Sequence, residues 1–247
     1  MALIRVGQTE FDARIAIFDK DGTLIDFTGT WLAIVDLLLL RMADHVTMSG
    51  RLREKVQEVL GVSLDRGEVD PGGALAMGTF AECYALLCHC LHQEGLRWDE
   101  AQRVVAALDE EVFQSEDRNR CVRPAQGAVE ALARLKEKGL HVAVATNDKT
   151  RDALSDLLAI GAGPYIDMVV GADAVANPKP ASDMVDKICG MAGSPPATAV
   201  LVGDTVMDAS LGRNAGVGLV VGVLGIEDRR VLEEHVDVVI GSLDEIS

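Results

Sequence analysis

Basic residues are scarce in this 247-residue chain: 23 Lys and Arg stand against 39 Asp and Glu, a formal net charge of −16. Nucleic acids and anionic membranes attract cationic surfaces, so this balance argues against either as the main partner, while leaving room for a local cationic pocket. The acids that gather between Asp99 and Glu111 read as the solvated face of a helix. There are 5 cysteines and no Cys-x-x-Cys pair, which excludes a disulfide framework and fits reduced thiols in a cytoplasm. In Cys88-His89-Cys90-Leu91-His92 the two cysteines would point about 200° apart on a helix, and no partner motif completes a zinc site. Ordinary helix packing is the expected role of that segment. The chain opens without a basic segment leading into an apolar stretch and a cleavage site, so a secretory signal is not expected. Its longest apolar run, Trp31 to Leu40, is interrupted by Asp36 and falls well short of the roughly 20 residues a bilayer span needs. Internal repeats and low-complexity tracts are lacking as well.

What is present divides into two patterns. Arg14 to Phe18 is a short apolar run ending at a charged, glycine-containing turn, as a buried parallel strand would, with Asp19 at its tip. From Trp31 to about Glu116 the apolar spacing is helical, broken at Ser49-Gly50, between Gly61 and Gly73, and at Gly95, which predicts about four helices. After Arg123-Pro124 helix and strand alternate. Helices are predicted over Pro124 to Lys138, from about Lys149, over Ala181 to Met191 and over Thr205 to Ala215. Strands are predicted at His141 to Ala145, Met168 to Val170, Ala199 to Val202 and Gly218 to Val221, with an edge strand near Val236 to Ile240. That rhythm makes an open parallel sheet flanked by helices, an α/β fold whose ligands bind at the carboxyl ends of the strands. The helical insertion follows the first of these strands, where it is placed to act as a lid.

Four segments fall at strand ends or helix starts on that side. Asp19-Lys20-Asp21-Gly22-Thr23 sets two carboxylates at i and i+2, and Gly22 permits a sharp turn that exposes backbone N–H groups. One carboxylate can attack phosphorus while another shuttles a proton; a strand-end turn with solvated acids is the plain alternative. Ala145-Thr146-Asn147 offers a hydroxyl and a backbone N–H for a phosphoryl oxygen, or else a helix N-cap. Asn177-Pro178-Lys179-Pro180 braces a lysine between prolines, as a fixed cation or as a surface loop. Gly203-Asp204-Thr205-Val206-Met207-Asp208 puts two acids at i and i+4 on one helical face, suited to a hard cation, with N-capping by Asp204 as the alternative.

In this order and after these strands, the four segments resemble the haloacid dehalogenase superfamily. Asp-x-Asp-Gly-Thr and Gly-Asp-x-x-x-Asp are its more specific motifs; the Thr and Lys are diagnostic only by position. The resemblance implies a Rossmann-like core over residues 1–28 and 121–247 and an inserted helical cap domain over 29–120, of the subclass that includes phosphoglycolate phosphatases and β-phosphoglucomutases. It implies that Asp19 attacks phosphorus to give an aspartyl-phosphate, and that Asp21 protonates the departing alkoxide and then activates water. It implies magnesium held by the Asp19 carboxylate, the Asp21 carbonyl and the Asp204 carboxylate, with Asp208 a ligand or next to one. Thr146, Lys179 and backbone N–H groups around Lys20, Gly22 and Asn147 would hold the phosphoryl oxygens.

Dehalogenases of this superfamily attack carbon without the second acid, and its phosphonate hydrolases carry a small residue there, so Asp21 argues against both. A phosphomutase of the β-phosphoglucomutase type keeps the same four groups and differs in a cap that excludes water and reorients a sugar bisphosphate. Hydrolysis is preferred because it requires no such cap. A binding module that has lost catalysis would not be expected to retain every catalytic side chain. Beneath a closing cap, a small phosphorylated metabolite is favoured over a phosphoprotein, and phosphoglycolate is the specific expectation. Met77-Gly78-Thr79 is a candidate specificity loop, or a helix start capped by Thr79. Lys20, at a position usually apolar in relatives, either offers an ammonium to the substrate or points into the cap interface. The expected assembly is a monomer or a homodimer formed through an apolar face such as Trp31 to Leu40.

Overall fold

Alternation of apolar and polar residues begins at the first residues of the chain: in β1 (Ala2–Val6) Ile4 and Val6 are buried while Leu3 and Arg5 are exposed. This strand pairs antiparallel with β2 (Thr9–Ala13), and Gly7 turns the chain between them at φ +56°. Next comes β3 (Ile15–Phe18), buried at every position. The computed structural model describes residues 1–113, 115–225 and 227–247, and for Met77 the backbone alone. It divides into two compact units, Met1–Phe27 with Arg123–Ser247, and Thr28–Val122.

The second unit is helical. Its long elements are α1 (Phe27–His45), which starts on the last residue of the first unit, and α2 (Gly50–Leu60), capped by Ser49 and closed by Gly61 at φ +74°. A two-residue hairpin of β4 (Val62–Ser63) and β5 (Glu68–Val69) and the single turn α3 (Ala74–Met77) lead to α4 (Phe80–Gln93) and α5 (Trp98–Leu108). A π-helical turn, Asp109–Phe113, and the short α6 (Glu116–Asn119) complete it. The apolar face of α1 packs Ile34, Val35, Leu38, Leu39 and Met42 into a core with Val56 of α2, Leu87 and Leu91 of α4, and Val105 of α5. Within the Trp31 to Leu40 run Ile34, Val35, Leu38 and Leu39 are buried, while Asp36 and Leu40 are exposed.

In the first unit the chain continues through α7 (Ala128–Glu137), β6 (His141–Ala145), α8 (Thr150–Ala159), β7 (Met168–Val170) and α9 (Asp183–Ala192). It closes with β8 (Ala199–Gly203), α10 (Val206–Ala215), β9 (Leu219–Val223), α11 (Arg229–Glu233) and β10 (Val238–Ile240). Helix α7 starts four residues later than the pattern predicts, because Gly127 takes φ +75° against Asp244 and the residues before it pair with the Ile25 segment. Six strands form one parallel sheet in the order β10-β9-β8-β3-β6-β7. Ala16 and Phe18 face one hydrophobic layer, with Leu132 and Val142; Ile15 and Ile17 face the other, with Val185 and Leu201. The strand order reverses direction at β3, so the carboxyl ends of β3, β6 and β8 border the crevice where such sheets bind ligands. No helix among the described residues is long and apolar enough to cross a membrane.

Candidate active site

Asp19 and Asp204 are each the first residue beyond a central strand, β3 and β8, so adjacent parallel strands deliver them side by side. The Asp19 N–H still donates to Val202 in the ladder, at 2.8 Å. The turn after it is closed by hydrogen bonds from Gly22 N to the Ile25 carbonyl and from Leu24 N to the Lys20 carbonyl. Gly22 is required here twice over: it takes φ +82°, and a Cβ on it would sit 2.0 Å from Oδ2 of Asp204. A Cβ on Gly225 would come within 2.6 Å of the same oxygen. Asp204, wholly buried, thus fills a slot walled by glycine, and the Thr23 hydroxyl donates to its Oδ1 at 3.1 Å.

Asp208 lies in the first turn of α10. Thr205, and not Asp204, caps this helix: its Oγ accepts from Asp208 N at 3.3 Å and donates to Asp208 Oδ2 at 2.6 Å. Asp204 precedes the helix, so its nearness to Asp208 comes from the strand end rather than from helical i, i+4 spacing. Lys179 Nζ donates to Asp208 Oδ1 at 2.6 Å and to Asp19 Oδ1. Burial would lower the Lys179 pKa, yet Asp19 and Asp208 more than offset this and hold the ammonium charged. Burial pushes the Asp19 carboxyl well above its usual range; Lys179 pulls it down, and Asp208 and Asp204 push it up again.

One oxygen from each of Asp19, Asp204 and Asp208 lies within 4.8 Å of the others, and no other such cluster occurs among the described residues. These hard oxygen donors fit magnesium better than a thiophilic metal, and Cys88, Cys90, His89 and His92 form no comparable group. Thr146, directly beyond β6, is buried; its Oγ accepts from Asp148 N at 3.2 Å and retains its own O–H to donate. The Asn147 side chain is engaged within the protein, where its Oδ1 accepts from the Lys179 N–H at 3.2 Å and braces that loop.

Lys20 stands elsewhere than either reading of the sequence places it, and Thr79 takes the second of its two. The Lys20 side chain is turned into the first unit, where it is 1% exposed and Nζ lies 2.7 Å from Asp21, 3.0 Å from Asp148 and 2.9 Å from Asp156. Two of its N–H bonds are donated to Asp21 and Asp156, and Asp148 pairs with the same ammonium. Burial would lower its pKa, but the three acids raise it. The Asp21 carboxyl is raised by burial, lowered by Lys20 and raised again by Asp148 and Asp156, for a net rise. Thr79 belongs to the helical unit and caps α4, where its N–H donates to Glu82 at 2.7 Å and its Oγ accepts from Glu82 N at 3.3 Å. Its polar atoms serve the helix start; the Met77 side chain, from the same candidate loop, lies outside the described residues.

Thr23, Thr205, Asp148 and Asp156 were not singled out from the sequence. Asp156 carried a signal, an acid on the buried face of α8 between Ala153 and Leu157. An unpaired carboxylate is too costly there, so a buried cation was implied.

A parallel α/β sheet whose strand ends bear three clustered carboxylates, a buried lysine and a buried threonine is the core of a hydrolase. The chain belongs to the haloacid dehalogenase-like hydrolases, whose family model matches residues 13–216. It is 31% identical over 211 residues to "Probable phosphatase IndB" of Dickeya dadantii, covering 83% of this chain and 79% of that protein. To "Phosphoglycolate phosphatase" of Caulobacter vibrioides it is 35% identical over 119 residues, 48% of this chain and 50% of that one. A haloacid dehalogenase-superfamily hydrolase from Geobacter sulfurreducens shares the fold at a TM-score of 0.66 and 21% identity, over 97% of each chain.

Proposed function

We propose that this hydrolase is a magnesium-dependent phosphatase that cleaves a small phosphomonoester through an aspartyl-phosphate on Asp19. The observation that carries the reading is the contact of the Asp19 carboxylate with the Lys179 ammonium, which also holds Asp208, in a cluster where one oxygen from each of Asp19, Asp204 and Asp208 lies within 4.8 Å of the others. A lone carboxylate is a weak nucleophile; here it is fixed in a site where cations can neutralise the incoming phosphoryl group.

Asp19 forms a bond to phosphorus as the bond from phosphorus to the leaving oxygen breaks, and that oxygen takes a proton from Asp21. Asp21, then a carboxylate, removes a proton from the water that attacks phosphorus and releases phosphate from Asp19. Thr146 donates its hydroxyl, and Lys179 its charge, to the phosphoryl oxygens. The carboxylates of Asp19 and Asp204 and the Asp21 carbonyl would hold magnesium, with Asp208 beside them; the ion supplies charge neutralisation for the phosphoryl group.

Phosphoglycolate is the substrate we favour, supported by the name of the Caulobacter relative over the half of the chain that it matches. The enzyme works in the cytoplasm as a monomer or homodimer. The test is turnover of 4-nitrophenyl phosphate and of a panel of small phosphomonoesters, phosphoglycolate and sugar phosphates included, with and without magnesium. Magnesium-dependent turnover that disappears in Asp19→Asn is expected; no turnover of any phosphoester would overturn the reading. A phosphomutase would instead interconvert sugar phosphates with little release of phosphate.

A further inference from the structure

The phosphatase reading leaves Lys20 without a role, although it is the more deeply buried of the two lysines at the strand ends, at 1% exposure against 8% for Lys179. Two of its N–H bonds go to Asp21 and Asp156, and Asp148 lies 3.0 Å from the same ammonium, so its charge is answered within the protein. The three acids come from three different places: Asp21 in the turn after β3, Asp148 in the loop after β6 that also carries Thr146, and Asp156 inside α8. Asp156 is 1% exposed on a helix packed against the sheet, which makes it the fixed end of the arrangement. Asp21, by contrast, is 32% exposed, and its carboxyl would turn between protein and solvent if nothing held it.

We propose that Lys20, anchored by Asp156 and Asp148, is a positioning residue that fixes the Asp21 carboxyl for proton transfer to the leaving oxygen and ties it to the loop bearing Thr146. The inference rests on the phosphatase reading. With Oδ1 accepting from the ammonium, Oδ2 is the oxygen left to carry a proton to the leaving group. When the bond from phosphorus to the leaving oxygen breaks, its electron pair stays on that oxygen, the proton passes to it from Oδ2, and the carboxylate left behind is neutralised by the ammonium already in contact. Because the Lys20 stem is enclosed, this contact is available before substrate binds and costs no reorganisation during reaction.

The experiment compares two leaving groups. An alkyl phosphate such as phosphoglycolate expels a strongly basic alkoxide that needs the proton; 4-nitrophenyl phosphate expels a weakly basic phenolate that does not. The readout is kcat/KM, which reports the steps up to formation of the aspartyl-phosphate. In Lys20→Met and Asp156→Asn we expect kcat/KM to fall roughly 10- to 100-fold for the alkyl phosphate and less than about threefold for 4-nitrophenyl phosphate. Asp21→Asn should show the same selectivity, more strongly. A merely structural role lowers the fraction of active enzyme and hence both substrates equally; an equal fall, no fall, or an unselective Asp21→Asn would overturn the proposal. Should Lys20→Met fail to fold, Asp156→Asn keeps the shape of the site and the ammonium with two of its acids. If the phosphatase reading itself fails, the unmutated protein turns over neither substrate, which is a different result from all of these.

Discussion

Lys179 and Lys20 lie in the same unit, both buried at the carboxyl edge of one sheet and both against aspartates, yet their surroundings are built to opposite ends. Lys179 meets Asp19 and Asp208 beside Asp204, and one oxygen from each of these three acids lies within 4.8 Å of the others, spaced for a cation. Lys20 is closed: its ammonium bonds Asp21 and Asp156 and pairs with Asp148, acids drawn from two loops and a helix. One arrangement is left to be completed by ligand and metal, while the other is complete in the folded chain. A buried ion pair is weak evidence for stability by itself, because desolvation offsets much of the attraction. The difference therefore has to be measured, in activity, in stability and in the response of each to magnesium.

The largest expected effect breaks the open cluster at its nucleophile. Asp19→Asn keeps shape and hydrogen bonding yet removes the attacking charge, and kcat should fall by roughly 10⁴-fold or more, read as released phosphate. Lys179→Met comes next. Losing a charge donor to the phosphoryl group should lower kcat about 10²- to 10³-fold, and the two carboxylates of Asp19 and Asp208 left without their lysine should destabilise the protein by about 3–5 kcal/mol in urea unfolding. Magnesium should recover part of that stability, by about 2.7 kcal/mol at a hundred times its dissociation constant.

Lys20→Met sharpens the contrast from the other side. It should also cost about 3–5 kcal/mol, since it removes the buried ammonium that Asp21, Asp148 and Asp156 share, but magnesium should raise its urea midpoint no more than it does for the unmutated protein. Equal magnesium responses in the two lysine variants would remove the distinction between an open and a closed cluster.

The two clusters also differ in how much of them could be read from the chain. The strands were legible because buried parallel strands are continuous apolar runs: His141–Ala145 and Met168–Val170 have the expected limits, and β3 differs by one residue. That Asp19, Thr146 and Asp204 converge follows from each standing just beyond such a run, with Lys179 arriving from a proline-bounded loop. The direction of the Lys20 side chain was not legible, since its anchor Asp156 lies 136 positions away and acts through packing of α8 that no local pattern encodes. Thr79 was ambiguous for a different reason: a polar residue ahead of an apolar helix suits both capping and ligand contact, and Glu82 three residues on, which completes a capping box, was the discriminating signal. The hairpin β1–β2 went unassigned because Thr9, Glu10 and Asp12 dilute its strand pattern.

The smallest effect comes from a third lysine, which shows how much burial matters to the first two. At the outer edge of the sheet Lys136 Nζ lies 2.6 Å from Asp167, with both side chains about a third exposed, at 31% and 32%. Asp167 also accepts from the Val142 N–H at 2.9 Å as the chain enters β7. Partial burial would raise the Asp167 pKa, but the Lys136 and Val142 hydrogen bonds outweigh it and hold the carboxyl below its usual value. Folding therefore favours the ionised form, so the contribution to stability is full above the unfolded pKa of about 4 and is lost as pH falls through the lower folded value. Solvent screening limits Lys136→Met to about 0.5 kcal/mol, and Asp167→Asn, which weakens the backbone bond too, to about 1 kcal/mol. Urea midpoints taken from pH 7 down through pH 3 should show the gap between Asp167→Asn and the unmutated protein closing on the acid side. A gap that stays constant with pH would mean that the charge on Asp167 contributes nothing, and a gap as large as that of Lys20→Met would mean that burial is not what separates these lysines.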